Sequence, residues 1–204
     1  MDPIIVMKNI TGLLTTSMTL LVLLFVNVLL GKNTASIFGF AVPTSSVHFV
    51  LGPTLLLLNA AILYYLLVLF FMQIDPSSTE AIAIREMNPM WVLGPLVNPL
   101  YISGYKFING IGYGFLIVLW WLGMHSFWMS INMNTLSPSI LAWNYLIGGM
   151  FLVLGLASML VIQSLFSKFG MELYRLKWMC SFIGILVGAG VPPLILQLIS
   201  TKTL

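Results

Sequence analysis

The residues best placed to do chemistry in this sequence surround His125. Met129 follows His125 by about one helical turn and Met133 follows Met129 by another, so a helix would place the three side chains on one face. Imidazole and thioether groups are ligands that suit Cu(I), which makes His125, Met129 and Met133 candidate metal ligands. Methionine also fills irregular helix contacts, and the chain contains 13 methionines. We prefer the packing interpretation and expect no bound metal or cofactor.

The long apolar stretches contain no Asp, Glu, Lys or Arg away from their ends. Proton pumps, ion-coupled transporters and voltage sensors place such groups at membrane depth. A membrane hydrolase needs a base beside its nucleophile, and His125 is the only candidate base within an apolar stretch. We therefore expect no catalytic residue and no enzymatic activity.

Two pairs of glycines have the spacing of helix-packing faces. Gly110 with Gly114, and Gly184 with Gly188, are each four residues apart. Small residues at this spacing let two helix backbones approach closely in a membrane. We expect close helix contacts at both pairs.

Pro192 and Pro193 predict a break in the last apolar stretch, because two adjacent prolines remove two backbone donors. Transporters use broken helices to present backbone groups to a substrate. Proline is also commoner in membrane helices than in soluble ones, so a bend without a transport role is the preferred interpretation.

Polar and aromatic side chains inside the apolar stretches should take part in helix contacts. Asn59 and Asn144 need hydrogen-bond partners, since lipid offers none. Trp120, Trp121 and Trp128 lie away from the helix ends, where we expect them to form large, rigid contacts with neighbouring helices or with another subunit.

The composition identifies lipid as the solvent. Of 204 residues, 60% are hydrophobic and 6% are charged, and the mean hydropathy is +1.07. A water-soluble surface cannot be built from so few charges. The net charge of +3 is scattered through the loops, which argues against binding to nucleic acid. The single cysteine, Cys180, excludes an intrachain disulfide.

The apolar runs predict an all-α, polytopic membrane protein, because a backbone in lipid must satisfy its hydrogen bonds internally and the runs do not alternate as barrel strands do. The chain should form a single transmembrane domain over 1–204. Five stretches are long enough to span the bilayer. They are 13–31, 49–74, 107–133, 140–166 and 178–199.

The segment 75–106, between the second and third spans, is expected to lie on the cytoplasmic side. Ser77 and Glu80 have the spacing of a capping box and predict a short amphipathic helix at the membrane surface. Three prolines follow within 89–101. They argue against a span there and predict an interfacial or re-entrant segment.

The basic residues set the orientation, because basic loops resist translocation. With five spans and a cytoplasmic N-terminus, only Lys32 and Lys202 face the exterior. A sixth span at 89–101 would move four further basic residues outside. They are Lys106, Lys168, Arg175 and Lys177.

These features favour a non-catalytic subunit of a larger multi-protein membrane assembly. Its expected partners are membrane lipid and either other membrane subunits or further copies of the chain. The alternative is a homo-oligomeric channel or small-solute transporter, and a membrane metal-binding protein or enzyme using His125 ranks third. We expect a bacterial inner (plasma) membrane, with an organelle membrane as the alternative.

Overall fold

The computed structural model describes residues 2–29, 34–37, 39–43, 47–87, 98–100, 121–126, 128–129, 138–169, 194 and 198. The helices and strands are α1 (Pro3–Leu29), β1 (Thr34–Ile37), β2 (Phe40–Pro43), α2 (Val47–Phe71), α3 (Thr79–Glu86) and α4 (Pro138–Lys168). Residues 121–126 and 128–129 are also helical, and we call them the tryptophan segment.

Three helices are long and apolar enough to cross a membrane. They comprise Pro3–Leu23 within α1, Phe49–Phe71 within α2, and the whole of α4. The chain is thus predominantly helical and suited to a membrane, as predicted. Of the third and fifth predicted spans, 107–133 and 178–199, the structure describes only the tryptophan segment and residues 194 and 198.

The first helix begins at Pro3, ahead of the predicted start of the span at residue 13. The Asp2 carboxylate accepts a hydrogen bond from the Ile4 amide at 2.8 Å, which satisfies one of the unpaired donors at the helix start. Proline suits the first helical position. These two residues extend α1 beyond its apolar core.

A short antiparallel hairpin, which the sequence did not predict, connects α1 to α2. Its strands pair from Thr34 opposite Pro43 to Ile37 opposite Phe40. Gly39 stands in the turn with φ +85°, a conformation that glycine adopts without strain. The hairpin is the exception to an otherwise helical pattern in the described part of the chain.

The buried residues of α2 and α4 recur at alternating spacings of three and four. Such a pattern forms one stripe along a helix, as in left-handed helix packing. In α4 this stripe contains Asn144, Gly148, Phe151, Gly155, Ser158, Ile162 and Leu165. In α2 it contains Gly52, Leu55, Asn59, Ile62, Leu66 and Leu69.

Helices α2 and α4 pack against each other and run in the same direction. Near their starts, the point where a Cβ on Gly52 would stand is 3.5 Å from Ile147 Cγ2. At their ends, Lys168 Nζ donates to the Phe70 carbonyl at 2.7 Å. Helix α1 packs on α2 as well, so α2 lies between the other two long helices.

The tryptophan segment runs antiparallel to α2. Trp128 lies against Gly52 near the start of α2, whereas Trp121 bonds to Asn59, two turns further along that helix. The same segment contacts α4, because Trp121 lies against Gly155. It therefore joins the two parallel helices.

The short helix α3 follows α2 and packs on α1. Ala81 and Ile84 are fully buried, whereas Ile82 is exposed, and the location of α3 at the membrane surface stays a prediction. The N-cap is Ser78, whose hydroxyl accepts from the Ala81 amide at 3.1 Å, and the predicted cap at Ser77 is wrong by one residue. Ser77 instead donates to Asp75.

Candidate functional site

Asn59, in the middle of α2, is the centre of a hydrogen-bonded cluster inside the helix bundle. Its side chain is fully buried. Nδ2 donates to the Leu55 carbonyl at 2.8 Å and lies 3.3 Å from Met124 Sδ. Oδ1 accepts from Trp121 Nε1 at 3.0 Å. The carboxamide thus ties α2 to the tryptophan segment and supplies the partner that the sequence demanded.

Three glycines make room for the tryptophan segment. A Cβ on Gly155 would stand 3.0 Å from Trp121 Cβ, and a Cβ on Gly52 would stand 2.5 Å from the Trp128 ring. A Cβ on Gly148 would stand 2.3 Å from Met129 Sδ. These contacts were not predicted from the sequence, although Gly148 and Gly155 are seven residues apart and therefore share one face of a helix.

His125 takes part in a contact between helices. Its Nδ1 lies 2.8 Å from the Gly148 carbonyl. Because a carbonyl only accepts, Nδ1 carries the proton, and in the neutral ring Nε2 is left as an acceptor. A histidine that binds a metal often has this arrangement, but a histidine that merely joins two helices has it as well.

Of the proposed metal ligands, the structure brings His125 and Met129 together. His125 Cε1 lies 3.8 Å from the point where a Cβ on Gly148 would stand, the same point that Met129 Sδ approaches. Met133 lies outside the described residues. In the described part of the chain, no group of three or more His, Cys, Asp or Glu could hold a metal ion.

The remaining predicted packing and break residues lie outside the part of the chain that the structure describes. They are Gly110, Gly114, Gly184, Gly188, Pro192 and Pro193. The expectations about them stay predictions.

Asn144, one turn before Gly148 on the buried stripe of α4, differs from Asn59. It is 1% exposed, yet neither its Nδ2 nor its Oδ1 has a hydrogen-bond partner within the described structure. Buried carboxamides are normally paired. Among the described residues, the partner predicted from the sequence is therefore not found.

Lys168, at the end of α4, caps the end of α2. Its Nζ donates to the carbonyls of Phe70 at 2.7 Å and Leu69 at 3.5 Å, and also to the carbonyl of Met72. These groups form the negative end of the helix dipole, which a cation stabilises. The contact fixes the ends of the two helices to each other.

Arg85 of α3 extends this junction. Its guanidinium donates to the carbonyls of Pro76 at 3.3 Å and Phe169 at 3.5 Å, and Nε donates to the Ala81 carbonyl at 3.2 Å. The cation thus joins α3 to the segment before it and to the residue after α4. Like Lys168, it is occupied in structural contacts.

Asp75 shapes the turn between α2 and α3. Its carboxylate accepts from the Ser77 amide at 3.0 Å and the Ser77 hydroxyl at 2.8 Å. The hydrogen bond from the Ser77 amide has the larger effect, and the two hydrogen bonds together lower the pKa of Asp75. The ionised form therefore stabilises the turn.

Asn98 closes the chain onto the end of α3. Its Nδ2 donates to the carbonyls of Ile84 at 2.9 Å and Met87, and its Oδ1 accepts from the Leu100 amide at 2.9 Å. The chain therefore leaves at Met87 and returns at Asn98 to the same place.

Comparison of this chain with protein families, with curated proteins and with solved structures finds no match.

Proposed function

We propose that this chain is a non-catalytic integral membrane subunit of a larger multi-protein assembly. The observation that carries the proposal is the use of polar groups inside the bundle: Asn59 and His125 are engaged in contacts between helices. Lys168 and Arg85 are likewise engaged at helix ends. Because these polar and charged side chains stabilise the packing of the chain's own helices, we expect the chain to act through contacts at its surface.

The apolar face of α4 gives such a subunit room for lipid and for neighbouring membrane helices. Tyr145, Val153 and Leu160 lie along this face, with 52%, 66% and 65% of their surface exposed. Each is large, and close packing against a partner would bury substantial area. Membrane lipid covers whatever a partner leaves open.

The membrane topology that belongs to this proposal has five spans and a cytoplasmic N-terminus. Because α2 and α4 run in the same direction, the chain between them crosses the membrane an odd number of times. One span at 107–133 satisfies this condition, and a second span at 89–101 would break it.

The contact between Met87 and Asn98 supports the same count. A span needs its two ends about 30 Å apart, whereas Asn98 donates to the Met87 carbonyl. An interfacial or re-entrant segment begins and ends on one side. The distribution of basic residues supports a cytoplasmic location for that side, and we propose a bacterial inner membrane, with an organelle membrane as the alternative.

Labelling of single cysteines tests the topology in a Cys180→Ser background. Five spans place Ala41 and Ser139 outside and Glu80 inside. A membrane-impermeant maleimide added to intact cells should label Ala41→Cys and Ser139→Cys but not Glu80→Cys, which becomes reactive once the cells are opened. Labelling of Ala41→Cys without Ser139→Cys would refute an odd number of crossings.

Affinity purification in mild detergent, followed by mass spectrometry, tests the assembly. The tagged chain should retain other membrane proteins in fixed stoichiometry. Val153→Trp, on the exposed face of α4, should reduce the recovery of partner proteins. Thr54→Val on α2 is the matched control and should leave that recovery unchanged. Recovery of the chain as a lone homo-oligomer that conducts ions in liposomes would overturn the subunit proposal.

The second candidate, a homo-oligomeric channel or small-solute transporter, is favoured by the unpaired carboxamide of Asn144 inside the bundle. Solute flux into liposomes containing only this chain would support it. A metal-binding role for His125 ranks third, because its Nδ1 is already engaged in a contact between helices.

A further inference from the structure

The first turns of α4 hold a polar group whose hydrogen bonds the bundle does not supply. Asn144 is 1% exposed, and both ends of its carboxamide are unpaired within the described structure. Shutting a carboxamide away from water without partners is unfavourable. A molecule from outside the chain would relieve this.

The surroundings of Asn144 define the chemistry of such a molecule. The Asn144 carboxamide can donate through Nδ2 and accept through Oδ1. The turn 144–148 contains no charged residue. The site therefore offers one donor group and one acceptor, and its turn offers no counter-charge for an ion.

We propose that Asn144 binds a small uncharged molecule that both donates and accepts hydrogen bonds. Water is the smallest source of this chemistry, and a compact amide is a larger one. Asn144 lies about 9 Å along α4 from Pro138, so the site is near the end of the helix that faces solvent. The site goes beyond the proposed function and does not depend on it.

Radiolytic footprinting of the full chain in lipid nanodiscs, in ¹⁸O-labelled water, tests for bound water. Hydroxyl radicals formed at a buried water oxidise sulfur nearby, and Met129 Sδ lies beside Gly148, one turn along α4 from Asn144. Met124, bonded to Asn59, is the internal reference. Oxidation of Met129 should fall several-fold in Asn144→Leu and stay unchanged in Thr54→Val, while Met124 should change in neither.

Thermal unfolding with acetamide as the probe distinguishes the two sources. A rise in Tm that occurs in the wild type but not in Asn144→Leu means that the site accepts an amide. A change in footprint without that rise means that the site holds water. If neither the footprint nor the Tm distinguishes wild type from Asn144→Leu, the proposal is wrong.

Asn144→Ser guards against misfolding of the leucine variant. Serine leaves one polar group, a hydroxyl, at the position. Met129 in this variant should be oxidised at a rate between those of the wild type and Asn144→Leu. A serine variant that folds yet oxidises Met129 as fast as the wild type would count against the site.

Discussion

Asn59 and Asn144 are the same residue type, both buried, on the facing stripes of two parallel helices, yet within the described residues only Asn59 is paired. The difference comes from what lies opposite. Trp121 presents an indole N–H to Asn59 at 3.0 Å, whereas no polar group of the described chain meets Asn144. A buried asparagine thus signals a need for a partner, and the register of the neighbouring helix decides whether the protein supplies one.

The replacement Asn59→Leu should have the largest effect on stability. Leucine has the same branched shape but leaves Trp121 Nε1 without an acceptor, which costs about 2 kcal/mol of unfolding free energy for a buried donor. Titration with SDS in mixed micelles measures the loss. Thr54→Val, on the exposed side of the same helix, is the control. Equal losses of unfolding free energy for Asn59→Leu and Asn144→Leu would show that the two asparagines do not differ in their contribution to stability.

The replacement Gly52→Ala tests whether the bundle is packed as tightly at the start of α2 as in the middle of that helix. The new Cβ would stand 2.5 Å from the Trp128 ring, and forcing that rigid ring aside should cost about 1.5 kcal/mol. Gly149→Ala is the matched control, because nothing described lies within 4 Å of its Cβ position. If Gly52→Ala leaves the unfolding free energy unchanged, the Trp128 ring is loosely packed against α2.

A double-mutant cycle of Asn59→Leu and Trp121→Phe isolates the hydrogen bond between the two side chains. The coupling free energy should be about 1 kcal/mol, within the range measured for side-chain hydrogen bonds in membrane proteins. Each single variant and the double variant are unfolded under the same conditions. Additive losses would show that the cluster stabilises the bundle through packing alone.

The replacement Asn144→Leu should change the unfolding free energy least, by about 0.5 kcal/mol or less, because no protein partner is left unpaired when the carboxamide is removed. The same SDS titration measures this change. The control is Leu146→Asn, which adds a carboxamide on the exposed face of α4 instead of removing one from the buried face. A loss as large as that of Asn59→Leu would indicate a protein partner for Asn144.

Much of the helical pattern could be predicted from the sequence. The apolar runs of α1, α2 and α4 leave no other structure for a backbone in lipid. The exact ends could not, because they depend on single side chains such as Asp2 and Ser78. The hairpin at 34–43 is too short for its periodicity to stand out, and only Gly39 marks its turn.

The contacts between helices were less predictable. The sequence showed that Asn59 needed a partner, but Trp121 could be identified only once the antiparallel register was known. Gly148 and Gly155 resemble any pair of small residues until an aromatic segment is placed against them. Lys168 reads as a basic loop residue, and only the parallel packing of α2 and α4 brings it to the carbonyls of Phe70 and Met72.

The meeting of Met87 and Asn98 has a practical consequence for engineering. Because Met87 and Asn98 are in contact, a foreign domain whose own termini are close together could be inserted between them without pulling α3 away from the bundle. A fluorescent protein placed there would report on which side of the membrane the chain turns back.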